Sequence, residues 1–233
     1  MGRNISGLAF DMEGTAFSVE KCHHEGLAHA AGTYGIAVTE WGIIQIPGVI
    51  GAGDPGAIAA ILKFFGRSDI NPEEYRLRKM EKYNELLETA PIALRPGFGA
   101  FCAQIPFYLP SAIASLTPQV QAVPLIERTG LGHLFPAQRI ILREDVINVK
   151  PAPDVFLEAA RRLGIYPTEL LVFGDSAKDM LAARAAGAIP VGVPYYWIPG
   201  VVAEILEAGA AHVFRDWQTI NLDGLLAAIA EEE

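Results

Sequence analysis

From Pro96 onward, short apolar runs alternate with amphipathic segments, and that alternation restricts the fold more than any other feature of the chain. Phe107 to Ala114, Arg139 to Leu142, Leu170 to Phe173 and Ile189 to Val193 predict strands. Gln119 to Thr129, Pro153 to Leu163, Ala177 to Ala186 and Gly200 to Ala208 predict the helices between and after them. Strands connected through helices pair in parallel, so a parallel sheet covered on both faces is expected. A further strand, Ile5 to Phe10, stands alone near the start, separated from the others by a helical block. That order makes the block an insertion into an α/β core, placed over the carboxyl edge of the sheet, where such folds bind ligands.

Within the block, His23 to Tyr34 predicts a small-residue helix, and Trp41 to Ile50 is an apolar segment rich in Ile and Gly. Asp54-Pro55 has the form of an N-cap followed by Pro, with Ile58, Ile61, Leu62 and Phe65 on one face of the helix it would start. Asn71-Pro72-Glu73-Glu74 repeats that start signal as a capping box, and Leu77, Met80, Tyr83 and Leu87 form the expected apolar stripe.

A hydrophobic content of 51% over 233 residues is ample for a buried core. The net charge of -9 argues against a general affinity for nucleic acid or anionic membrane, which would repel it. Two uncharged stretches, Pro96 to Ile126 and Ala185 to Ala203, reach bilayer-spanning length, but prolines interrupt both, which favours buried strands and tight loops. Cys22 and Cys102 have no metal-ligand spacing and are expected as free thiols in a reducing compartment. The apolar run before Asp11 is too short for a signal peptide, so a cytoplasmic protein is expected.

Chemistry should gather where the strands end. Asp11 and Glu13 follow the first, Ser115 the second, Lys150 lies just beyond the third, and Asp175 and Asp179 follow the fourth. Asp175 and Asp179 open a helix one turn apart and face the same way. With Asp11 they would form an oxygen-rich nest suited to Mg2+, a hard cation that keeps waters and a substrate phosphate among its ligands. Lys150 and Ser115 would supply a charge and a hydroxyl for the phosphate's other oxygens. Taken singly, Lys150 also fits a solvated loop lysine and Ser115 a helix cap. Ser111, at the end of Phe107 to Pro110, competes with Ser115 for this place.

Asp11-Met12-Glu13-Gly14-Thr15, Ser115, Lys150-Pro151-Ala152-Pro153-Asp154 and Gly174-Asp175-Ser176 through Asp179 together resemble the four motifs of the haloacid dehalogenase superfamily. The resemblance covers nearly the whole chain and is closest to the branch that includes phosphoglycolate phosphatases and β-phosphoglucomutases. It implies a Rossmann-like doubly wound core, residues 1–17 and 93–233, with an inserted α-helical cap domain, residues 18–92. It implies that Asp11 is the nucleophile forming an aspartyl phosphate, and that Glu13 is the acid/base. Mg2+ would be held by Asp11, the Glu13 carbonyl, Asp175 and Asp179, while Ser115 and Lys150 stabilise the transferring phosphoryl group. Gly14, Thr15 and His23 would join Ser115 and Lys150 around the substrate. The implied partner is a small-molecule phosphate ester, and the implied state a monomer or weak homodimer.

Three departures from the family pattern bear on activity. Its second acid is normally Asp, and Glu13 carries the same group on an arm one methylene longer, where about 1 Å of misplacement can cost on the order of a hundredfold in rate. Gly174 stands where many relatives have an acid, which leaves Asp179 to complete the cluster. Gly48-Val49 is followed by Ile50 and Gly51 rather than by the arginine of the mutases. A phosphatase is therefore expected, with a phosphomutase and a catalytically weakened binding protein as alternatives. His23 lies where the mutases have a histidine facing the active site, although it also fits a helix surface. Trp41, Ile43, Ile44 and Ile46 fit either an apolar specificity wall or the cap's packing against the core, and the contacts of Tyr195, Tyr196 and Trp197 stay open.

Overall fold

The computed structural model describes residues 4–231. The chain divides into two compact units, one reaching to Ser18 and resuming at Ala93, the other spanning Val19–Ile92. In chain order, β1 (Gly7–Phe10) begins the first unit. The second unit then holds α1 (Glu20–Thr33), α2 (Glu40–Ile44), α3 (Gly53–Phe64) and α4 (Pro72–Thr89). The first unit continues with α5 (Phe98–Cys102), β2 (Ser111–Ala114), α6 (Gln119–Thr129), α7 (Leu131–Leu134), β3 (Ile140–Ile141) and α8 (Asp154–Leu163). It ends with β4 (Leu170–Gly174), α9 (Ala177–Ala186), β5 (Ile189–Gly192), α10 (Pro199–Glu207), β6 (His212–Val213) and α11 (Leu222–Glu231).

The six strands form one parallel sheet in the order β3-β2-β1-β4-β5-β6. Leu8 pairs with Ser111 on one side and Leu171 on the other, so β1 is central and the order of travel reverses beside it. Loops diverge from the carboxyl ends at such a reversal and leave a crevice. The strand faces differ in bulk. Ala9, Ala112 and Ala114 are small, which lets Val155, Phe156 and Ala159 of α8 and Ala182 and Ala183 of α9 sit close to the sheet. The opposite face carries Phe10 and Phe173, stacked at 5.2 Å between ring centroids. Phe98, Phe101, Phe135 and Trp217 crowd Phe10 edge-on or tilted, fixing the strand that leads into Asp11.

The structure shortens some expected elements. Residues 107–110 form a turn, with Leu109 N–H bonded to Pro106 and Phe107 fully exposed, so only Ser111–Ala114 of the predicted strand joins the sheet. None of the described helices is long and apolar enough to cross a membrane.

In the second unit Asn71 caps α4 by accepting from the N–H groups of Glu73 and Glu74. Asp54 is not an N-cap. Ala52 holds that position, and Asp54 lies inside the first turn of α3, where its carboxylate is paired with Lys79. The buried stripe of α4 is Tyr75, Lys79, Tyr83 and Leu87, so Tyr83 and Leu87 lie where expected, while Leu77 is exposed and Met80 half-buried. Ile43 and Ile46 join the unit's own apolar core, Ile44 is buried and Trp41 is exposed, which identifies this segment as packing within the unit.

His24, buried on α1, makes this unit sensitive to acid. Burial, reinforced by neighbouring His23 and Lys79, lowers its pKa to about 4 from 6.5. Between those values the unfolded chain binds the extra proton, so the His24 contribution is whole above pH 6.5 and declines as pH falls towards 4. The full loss is about 3 kcal/mol. Urea unfolding of wild type and His24→Gln at pH 7 and pH 4.5 should show the stability difference between the two proteins shift by most of that amount. A pH-independent difference would show that His24 does not titrate in this way.

Candidate active site

Each element ending at the carboxyl edge delivers a polar side chain. Asp11 follows β1, its N–H still bonded to Phe173 O at 2.9 Å, so the ladder with β4 holds it in place. The chain then turns tightly, with the N–H groups of Ala16 and Phe17 both bonded to Met12 O and Gly14 at a φ of 73° that favours glycine. Three contacts brace this turn. Arg95 donates to Gly14 O at 2.7 Å and to Val193 O at 2.7 Å, which ties the loop after β1 to the loop after β5. Trp217 donates its indole N–H to Thr15 O at 2.9 Å. Thr15 is buried and turns its hydroxyl to Asp175 Oδ1 at 3.3 Å.

Lys150 reaches across to the central strand. Its Nζ lies 2.5 Å from Asp11 Oδ1, 2.7 Å from Asp179 Oδ1 and 3.1 Å from Ala114 O. Burial opposes the Lys150 charge, yet the Asp11 and Asp179 carboxylates outweigh it and hold the pKa above its ordinary value. For Asp11 the balance goes the other way. Burial, against the pull of Lys150 and with the push of Asp179 and Glu13, raises its carboxyl to about 7.

Asp11, Asp175 and Asp179 each offer an oxygen within 4.8 Å of the others. The Lys150 ammonium offsets part of their mutual repulsion, and three hard oxygen donors so close could also hold a small divalent ion. The absence of an acid at Gly174 has a direct steric reason. A Cβ there would meet Asp179 Cβ at 2.4 Å and Cγ at 2.6 Å, so the Asp179 side chain fills the space that a residue at 174 would need. Ser176 holds it in that position. Asp179 Oδ2 accepts from Ser176 N–H at 3.1 Å and from its hydroxyl at 2.6 Å, the return half of the capping box that starts α9.

Ser115 and Ser111 lie at opposite ends of β2. Ser111 begins it beside Leu8, while Ser115 follows its carboxyl end, with its N–H on Ile141 O at 2.9 Å. Ser115 Oγ is 2.9 Å from Thr117 Oγ1, and Thr117 donates to Glu13 Oε1 at 2.9 Å. Glu13 is thereby joined to the β2 loop.

His23 belongs to the second unit. There its Nδ1 lies 2.8 Å from Lys79 Nζ and its ring stacks on Tyr83 at 4.0 Å. Lys79 is fully buried, paired with Asp54 at 2.9 Å and 4.5 Å above the Tyr83 ring. The sequence signal for Lys79 was its four-residue spacing from Tyr75 and Tyr83. Arg95 and Thr117 offered no such signal, being single polar residues beside prolines. Tyr195 turns its hydroxyl to Ser18 Oγ at 2.5 Å and lies beside the Arg95 guanidinium, so this aromatic braces the same loops.

The doubly wound sheet thus carries an acidic cluster at its reversal, crossed by a lysine whose side chain is 7% exposed. Residues 5–187 match the model of the haloacid dehalogenase-like hydrolases, and the chain belongs to that family. It is 29% identical over 195 residues to fructose-1-phosphate phosphatase YqaB of Escherichia coli strain K12, covering 83% of this chain and 98% of that one. It is likewise 29% identical over 228 residues to a phosphoglycolate phosphatase of Shigella boydii, covering 88% and 87%. Among solved structures, a haloacid dehalogenase-like protein of unknown function from Agrobacterium tumefaciens superposes with a TM-score of 0.81 at 21% identity, covering 98% of this chain and 100% of that one.

Proposed function

We propose that the chain is a Mg2+-dependent phosphatase of small organic phosphomonoesters, working through an aspartyl-phosphate intermediate. The observation that carries this reading is the convergence of Asp11, Asp175 and Asp179, with Lys150 bridging Asp11 and Asp179. In the first step an Asp11 carboxylate oxygen bonds to phosphorus, the bond from phosphorus to the alcohol oxygen breaks, and Glu13 gives that oxygen its proton. In the second, Glu13 takes a proton from water as the water oxygen bonds to phosphorus, releasing phosphate and regenerating the Asp11 carboxylate. Lys150 and Ser115 neutralise charge on the equatorial oxygens in both steps. Mg2+ held by Asp11, the Glu13 carbonyl, Asp175 and Asp179 would favour ionised Asp11 and offset the phosphoryl charge.

The relatives' names suggest that fructose 1-phosphate and phosphoglycolate belong in the first substrate panel, beside a generic aryl phosphate. Phosphate release with Mg2+, lost in EDTA, is the expected result. Glu13→Ala should lower turnover by about a hundredfold or more, the scale of general acid/base catalysis. No release by wild type that appears in Glu13→Asp would support a binding protein, and phosphate moving between positions of one sugar without release would support a mutase.

A further inference from the structure

We propose that Thr117 is the positioning residue that makes the longer Glu13 arm usable, by holding one of its carboxylate oxygens through a hydroxyl chain that begins at Ser115. The inference rests on the reading of Glu13 as acid/base and assigns a role to a residue that belongs to none of the motifs.

The geometry fixes the direction of the chain. Thr117 Oγ1 donates its single hydroxyl proton to Glu13 Oε1 at 2.9 Å, and that oxygen can accept it both in the carboxylate and in the protonated acid, whose own proton then sits on Oε2. The 2.9 Å contact between Ser115 Oγ and Thr117 Oγ1 must then carry the Ser115 proton towards Thr117. Ser115 Oγ accepts the Thr117 N–H at 3.1 Å, which closes the loop between the two residues. Both hydroxyl residues are buried, at 2% and 7% exposure, so water does not readily replace either partner.

This arrangement answers the steric question raised by Glu13. A glutamate has one more rotatable bond than aspartate, and its carboxylate samples more positions unless something holds it. Thr117 is 104 residues away in sequence and is anchored by Pro118, the residue before α6, and by Arg143 N–H on Thr117 O at 3.3 Å. A fixed hydroxyl at that place limits the Glu13 arm to the conformers that keep Oε1 at 2.9 Å. When Ser115 turns its proton to a phosphoryl oxygen, it leaves Thr117 bonded to Glu13, so substrate contact and acid/base placement share one loop without competing for one proton.

The test is a two-by-two comparison of kcat and KM with an aryl phosphate and Mg2+, using Thr117 or Thr117→Val in the wild-type and Glu13→Gln backgrounds, with Thr117→Ser as the rescue. Thr117→Val should lower kcat by about 10- to 100-fold while KM stays within about threefold, as expected for lost placement of an acid/base group. Thr117→Ser, which keeps the hydroxyl, should return most of that activity. In Glu13→Gln the same Thr117→Val change should cost less than about twofold, because the group it positions is already disabled. An equal loss in both backgrounds, or a loss confined to KM, would overturn the proposal and assign Thr117 to Ser115 or to the fold. Wild-type kcat in Glu13→Gln would overturn the acid/base reading itself, and the positioning role with it.

Discussion

Asp11→Asn should remove phosphatase activity almost completely, by about 10⁴-fold or more, since losing a nucleophile leaves only binding and charge stabilisation behind. The fold should tolerate the change. Asp11 is held by β1 pairing and by the aromatic residues under Phe10, neither of which involves its carboxylate. Lys150 loses one partner at 2.5 Å and keeps Asp179 at 2.7 Å. Single-turnover assays and a melting curve on the same preparation separate the two effects. Steady activity near the wild-type level in Asp11→Asn would place the nucleophile elsewhere. A lost activity accompanied by a collapsed melting transition would show that Asp11 supports the fold, contrary to its place in the site.

Lys150→Met is expected to have the second largest effect, and it acts on stability as well as on rate. The methionine fills similar volume but leaves Asp11 and Asp179, both buried, facing each other without the ammonium between them. Breaking a buried ion pair from one side costs about 3–5 kcal/mol, which in a chain of this length corresponds to roughly 10 °C in Tm. A divalent cation would relieve the same repulsion. Melting in EDTA and in excess Mg2+ should therefore show a larger Mg2+-induced rise for Lys150→Met than for wild type. An unchanged Tm in EDTA would mean that Lys150 does not balance this charge. Turnover should stay low even with Mg2+, because the phosphoryl oxygens lose a cation that the ion does not replace.

Much of the core was legible because its strands are buried on both faces and read as continuous apolar runs. β4 and β5 and helices α6 and α9 lie where periodicity places them, with ends shifted by no more than one residue. β2 is half its expected length because Phe107 and Tyr108 are apolar but exposed, and hydropathy cannot separate an apolar turn from a strand. β6 and α5 are short, and a two-strand-residue or five-residue element offers too little pattern to detect. In the second unit hydropathy finds Tyr83 and Leu87 on the buried stripe of α4 but not Lys79, for a related reason. Lys79 is buried among aromatic rings and pairs with Asp54, and a composition-based stripe passes over a lysine.

By itself, the sequence determined that acids stand at the ends of β1 and β4, because a strand's end follows from a local apolar run and the residues after it are then known. It also placed Asp175 and Asp179 together at the start of α9, although Asp175 lies before the extended Ser176 N-cap and so outside the helix, and the two carboxylates meet through the turn rather than by helical spacing. Only the tertiary structure decided how those groups meet. It put Ser115 rather than Ser111 at the carboxyl edge, set Lys150 between Asp11 and Asp179, filled the space above Gly174 with the Asp179 side chain, and brought Thr117 to Glu13. Each of the contacts made by Lys150 and Thr117 to the first strand's acids joins residues more than a hundred positions apart. Their distances depend on sheet register and loop packing over the whole core, and no local pattern carries that information.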